Sequence, residues 1–146
     1  MALTTILSSA ELGRVAALAY EGLSVRVSLH VVGSTGYDQE TPIADWDTVK
    51  LPELNGYTDF VLAALPPGGY DPTSGRWEMG GTAGIDTYIS ATFTGADAGF
   101  TYDRAIVRIG TGDYPHSVLT ESPSVSVPAG VTQSYQIQLL ARPIAP

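Results

Sequence analysis

The sequence predicts a mainly β fold: an antiparallel β-sandwich, or an open barrel, with one short N-terminal α-helix and two long loops. Three observations carry that expectation. After Gly22 most of the chain alternates polar and apolar residues with period two, the signature of half-buried strands. The alternating segments are short and cut by glycine and proline, which number 16 and 10, as in sandwiches and barrels. Hydrophobic residues make up 44% of the 146 residues and charged ones 15%. That balance excludes disorder for the bulk of the chain and suits one domain over residues 1–146.

The helix is expected over residues 8–21. Ser8 is a good N-cap and Glu11, three residues on, completes a capping box, with Leu7 and Leu12 placed as a hydrophobic staple. Leu12, Val15, Ala16 and Ala19 form a narrow apolar stripe, and Gly22 ends the helix as a left-handed residue. So short a helix is marginal alone and must dock.

Strands follow. Val25, Val27, Leu29 and Val31 alternate with Ser24, Arg26, Ser28 and His30, which places His30 on the polar face. Further strands are expected at 57–65, 85–94, 102–109, 122–127 and 131–141. In the last, Val131, Gln133, Tyr135, Ile137 and Leu139 share a face. Pro128-Ala129-Gly130 reads as a hairpin turn in which Gly130 takes positive φ. Gly110-Thr111-Gly112 follows a strand but opens no helix, so it is a turn rather than a phosphate cradle.

Two stretches lack a period. Residues 33–52 carry Tyr37 and Trp46 with three Asp and one Glu; residues 66–84 carry Tyr70, Trp77 and Met79 among Gly and Pro. Long loops bearing aromatics are candidates for binding. One reading makes both contact loops that dock on other chains; the other makes them lids on their own sandwich. Arg104 and Arg108 share a strand face flanking Ile106 and are candidates to pair with acids of an adjoining subunit. Arg142 opens a tail, 142–146, expected to lie extended on a partner.

Charge and composition narrow the function classes. A net charge of −8 opposes phosphate-backbone binding and polybasic membrane contact. No apolar run approaches the ~20 residues of a membrane helix. Without cysteine there is no disulfide scaffold, thiol nucleophile or thiolate metal site. Two histidines in separate segments, with no Gly-x-Ser-x-Gly elbow, give neither a hydrolytic triad nor a transition-metal site. Asp45 with Asp47, and Asp97 with Asp103, lack the oxygen count that calcium needs and read as solvated acids. No catalytic residue, metal or cofactor is expected. Among seven bases Lys50 is the sole lysine; because interfaces are depleted of lysine and enriched in arginine, neighbours are expected to cover much of the surface.

The order of segments resembles the N-terminal attachment domain of bacteriophage tail-collar and tail-fibre proteins. The opening LTTILSSAELGRVAALAYEG runs into SVRVSLHVVGS, where Val32-Gly33 matches the family's Val-Gly turn. YISATFTGADAGFTYDRAIVRIGTGD is similar to its strand–turn–strand, and ESPSVSVPAGVTQSYQIQLL to the closing hairpin of small virion proteins. The likeness covers about half of the chain. Arg104-Ala105-Ile106 stands where the family has Glu-Ile-Gly, and Ser34 where it has Asp. A chain stopping at Pro146 would also lack the shaft and tip of a fibre.

The resemblance implies a non-enzymatic virion structural protein, a tail or fibre-attachment adaptor, with a capsid cement protein as the alternative. Its expected partners are other virion proteins and itself, as a homo-oligomer such as a trimer, with Tyr37, Trp46, Tyr70, Trp77, Met79, Arg104, Arg108 and Arg142 at the interfaces. Its expected place is the virion, after synthesis in a host cytoplasm, since Met1 to Ala10 shows no signal peptide. A reading from another class is a carbohydrate-binding module that stacks sugars on Trp46 and Trp77, which requires both indoles to be exposed.

Overall fold

The structure, a computed structural model, describes residues 9–33, 36–71, 76–79, 88–138 and 140–141. It is mainly β, with antiparallel sheets, and sandwich-like. The chain divides into two compact units. One comprises Met1–Leu23, Ala64–Ser90 and Gln136–Pro146; the other comprises Ser24–Ala63 and Ala91–Tyr135.

In the first unit, α1 spans Ser9–Tyr20; the expected cap Ser8 and staple residue Leu7 lie outside the described residues. Gly22 takes φ +76°, as a left-handed helix terminator should, and its N–H donates to Leu65 O at 3.0 Å. The apolar stripe differs from expectation. Ala16 is buried and Tyr20 half-buried, but Val15 and Ala19 stand in solvent. Among the side chains described, the inward pair Ala16 and Tyr20 is spaced i,i+4 and so lies on one row of the helix. It lies against a hairpin that occupies part of the second aperiodic stretch.

That hairpin is formed by two strands, following β1 (Val25–His30) and β2 (Phe60–Leu62) in the chain. Its strands are β3 (Gly68–Asp71) and β4 (Arg76–Met79), which pair with Tyr70 opposite Trp77. Only residues 72–75 and 80–87 of the neighbourhood lie outside the described set. The run GGYD carries too little alternation to announce a strand; pairing with RWEM supplies what the local sequence lacks.

The second unit is built on β1. It holds residues Ala91–Thr94 of β5 (Tyr88–Thr94), β6 (Phe100–Ile109), β7 (Ser117–Val127) and Thr132–Tyr135 of β8 (Thr132–Gln138), while β9 (Leu140–Ala141) belongs to the first unit. A four-stranded antiparallel sheet runs β2-β1-β6-β7, β5 pairs with β8, and β9 joins β4. Gly110, at φ +62°, begins the β6–β7 connection as the expected turn.

The hairpin expected at Pro128-Ala129-Gly130 is corrected. The turn is there: Gly130 takes φ +79° and Val131 N–H donates to Pro128 O at 3.1 Å. But β7 pairs with β6 and β8 with β5, so the turn is a corner between sheets. Gly95 and Gly99 allow the corner to pack, since a Cβ on either would lie 2.2 to 2.3 Å from a carbonyl oxygen of Pro128 or Val127. A turn type fixes the local bend, not which strands pair beyond it.

Both faces of the sheet are covered at β1 and β6. Val25, Val27, Leu29 and Ala105 are buried on one face, and Ser28, His30 and Ile106 on the other. A line of ring contacts runs Tyr57–Phe93–Tyr135–Tyr102–Phe100, with centroids 6.0 to 6.4 Å apart, and it ties β5 and β8 to the sheet. Such edge and offset contacts contribute beyond their area burial. Between Tyr102 and Arg104 the β6–β7 register shifts, so that Asp103 alone faces the four residues Glu121–Ser124. This resets the alternation and buries both Tyr102 and Asp103.

Candidate functional site

The most chemistry-bearing cluster lies under residues 36–51, the first aperiodic stretch. Pro42 starts a single helical turn, α2 (Ile43–Trp46), continued as a 3-10 turn over Asp47–Val49. Ile43, Trp46 and Val49 are spaced by three, so one side of this turn is apolar. That side packs on Ile106 with Val32, Tyr37 and Val118. The returning chain is stitched beside β1: Val31 N–H donates to Val49 O at 3.1 Å, and Leu51 N–H to Leu29 O at 2.9 Å.

This cover overturns two expectations. Trp46 is fully buried, its indole edge-on to Tyr37 at 5.1 Å and to His30 at 5.2 Å, and Nε1–H donates to Asp38 O at 3.3 Å. It is an interior side chain, so it offers nothing to a neighbour or a sugar, and Tyr37 is half-buried against it. The stretch is a lid. His30, expected on a polar face, is likewise fully buried, because the lid closes the face that strand periodicity assigned to solvent.

Beneath the lid Ser28 Oγ lies 2.9 Å from His30 Nε2, and His30 Nδ1 lies 3.0 Å from Trp46 O. Nδ1 donates to the carbonyl, which leaves Nε2 to accept from the serine hydroxyl. The distances match a nucleophile–base pair. Burial changes what the pair does. Desolvation pushes the His30 pKa down to about 4, against smaller opposing effects of the Trp46 carbonyl, Asp59 and Asp47. With Ser28 6% exposed and His30 sealed, the neutral imidazole spends Nδ1 on holding the lid and Nε2 on Ser28 of its own strand.

A second polar centre is Asp59, its side chain 4% exposed. It accepts from Tyr57 Oη at 2.6 Å and from Lys50 Nζ at 2.6 Å, with Arg26 at 3.3 Å. Tyr57 Oη in turn accepts from Leu29 N–H at 2.9 Å. Burial first, and Asp59 second, raise the Tyr57 pKa far above the phenol range. The sole lysine is therefore committed inside its own unit. Likewise Tyr135 donates to Glu121 at 2.8 Å and shares a hydrogen bond with Tyr102 Oη.

The predicted interface residues scatter. Arg104 pairs with Asp103 and donates to Gly33 O at 3.1 Å; Asp103 also takes the N–H groups of Val32 and Gly33. Its side chain is 11% exposed, so it braces the β1 end rather than reaching for an acid on another chain. Arg108 donates through Nε to Gly112 O at 3.0 Å, closing the β6–β7 turn. Tyr70, Trp77 and Met79 lie on the β3–β4 hairpin, their side chains outside what is described, and Arg142 with the tail lies outside the described residues.

A shallow cleft of ≈ 290 Å³ lies between Tyr37–Glu40 of the lid and β7, and another of ≈ 400 Å³ lies beside the register shift. Among the described residues no group of three metal-ligating side chains forms, and no helix is long and apolar enough to cross a membrane. The sequence signal for the lid was present in the Ile43–Trp46–Val49 spacing; the Ser28–His30 pair had none beyond sharing a strand face. Compared with known proteins, the chain matches no family model, no curated protein and no solved structure.

Proposed function

We propose that this chain is a non-enzymatic structural protein of a phage virion, a tail or fibre-attachment adaptor that acts by assembling with itself and with other virion proteins. One observation carries the reading. The groups best suited to chemistry are paired within the fold, Ser28 with His30 in the interior and Asp59 with Lys50, while large apolar side chains stand in solvent. Leu18 is 74% exposed, Leu54 63% and Val61 54%. Exposed apolar residues gain free energy when a neighbour covers them. The resemblance of the opening helix and strand to a phage attachment domain supplies the biological setting. The carbohydrate-platform alternative is withdrawn, because it needs both indoles exposed and Trp46 is not.

Size-exclusion chromatography with light scattering on the chain, alone and mixed with virion proteins, tests the proposal. Self-association or co-elution with a tail component supports it. A monomer that binds no virion protein and turns over a small molecule overturns it.

A further inference from the structure

Asparagine occurs once in the chain, at Asn55, and a glycine follows it. Both residues are exposed in the tight turn Leu54–Tyr57, which Tyr57 N–H closes by donating to Leu54 O at 3.0 Å. Asn55 takes φ +55° and Gly56 φ +88°. Two successive left-handed residues are what a type I′ turn demands, and Asn-Gly is the favoured pair there. Packing fixes the glycine a second time, because a Cβ at position 56 would lie 2.6 Å from both Ala96 N and Thr94 O. Asn55 O in turn accepts from Ala96 N–H at 2.7 Å. The turn thus joins the β5–β6 connection to Tyr57, which is buried and held by Asp59 and by Leu29 N–H. Among the described residues neither the Asn55 side-chain amide nor Gly56 N–H has a hydrogen-bond partner. The fold therefore places, in solvent, the dipeptide whose own chemistry is least durable. The main-chain nitrogen after an asparagine can attack its side-chain amide, and glycine, having no side chain, hinders that attack least.

We propose that Asn55 is a self-modification site, where deamidation through Gly56 consumes only water and loosens the second unit as the protein ages. It does not depend on the assembly reading. Gly56 N attacks Asn55 Cγ: the N–Cγ bond forms, the Cγ–Nδ2 bond breaks, and ammonia leaves with the proton from Gly56 N, closing a cyclic succinimide. Water then adds to either ring carbonyl and the ring C–N bond on that side breaks, releasing a proton. Opening at Cγ leaves aspartate, which keeps the main chain, tolerates positive φ and adds one negative charge to a chain of net charge −8. Opening at the main-chain carbonyl leaves isoaspartate, in which the backbone runs through Cγ and gains an atom. Gly56 has no room against Ala96 to absorb that atom, so the Leu54–Tyr57 and Asn55–Ala96 hydrogen bonds cannot both re-form. Those same bonds hold the turn before reaction, so attack waits on their transient opening, and the folded chain reacts more slowly than a free peptide of its sequence.

Peptide mapping by mass spectrometry, on the full chain aged in mildly alkaline buffer below its unfolding temperature, tests this. The expected result is that the fragment holding Asn55 gains the mass difference between an amide and a carboxylic acid and resolves into two species of equal mass. The rate should rise with pH, because the attacking group is the deprotonated main-chain nitrogen. Aged protein should also unfold at a lower temperature than fresh protein, a loss absent from aged Asn55→Gly, which accepts positive φ and has no amide to lose. The mass measurement on the native chain decides the site whether or not Asn55→Gly folds. An unchanged mass, over a period in which a synthetic peptide of residues 51–60 deamidates fully, overturns the proposal. Deamidation that leaves the unfolding temperature unchanged supports the site and overturns the loosening.

Discussion

Acid should loosen the lid through His30. In the folded chain its pKa lies at about 4, against an ordinary value near 6.5. The neutral form is thus favoured by folding, and the unfolded chain binds the extra proton between those two values. Its contribution is fully present above pH 6.5 and is lost progressively as pH falls toward 4. The whole difference is worth about 3 kcal/mol, of which about 2 kcal/mol is gone at pH 5. The physical cause is that protonation puts a charge under Trp46 and turns Nε2 from acceptor to donor against Ser28 Oγ. Urea unfolding at pH 7 and pH 5, on the native chain and on His30→Gln, measures it. The native chain should lose about 2 kcal/mol more than His30→Gln between the two pH values. His116, whose pKa burial also lowers, acts in the same direction, so His116→Gln provides the control. Equal losses in the native chain and in His30→Gln would refute the reasoning.

Other perturbations follow from the packing. Trp46→Ala removes a fully buried indole and should destabilise the unit by about 3–5 kcal/mol, read by chemical denaturation; an unchanged unfolding midpoint would return Trp46 to the surface. Asp59→Ala leaves Lys50 Nζ and Tyr57 Oη without their acceptor, at a cost of about 3 kcal/mol, and Asp59→Asn should cost less because its amide oxygen still accepts from Tyr57. Gly99→Ala sets a Cβ 2.3 Å from Val127 O at φ +70° and should disrupt the inter-sheet corner. Gly130→Ala, at φ +79° with nothing within 4 Å, should cost only the ~1–2 kcal/mol of left-handed strain; thermal unfolding separates the two.

The sequence by itself determined the β class, the short helix with Gly22 at its end, and the position of most strands, because these depend on period-two alternation and on backbone preferences carried by single residues. It also showed where reactive groups are scarce. Tertiary structure decided the rest. The turn at Pro128–Gly130 was legible, but not that it leads from one sheet to the other, since pairing partners are chosen over the whole chain. GGYD became a strand only because RWEM lies beside it. His30 and Ser28 followed a polar strand face by pattern, and a segment more than ten residues away in sequence folded over them and made that face interior. Alternation reports how many faces one layer buries; whether a second layer covers the remaining face depends on contacts that no local pattern encodes.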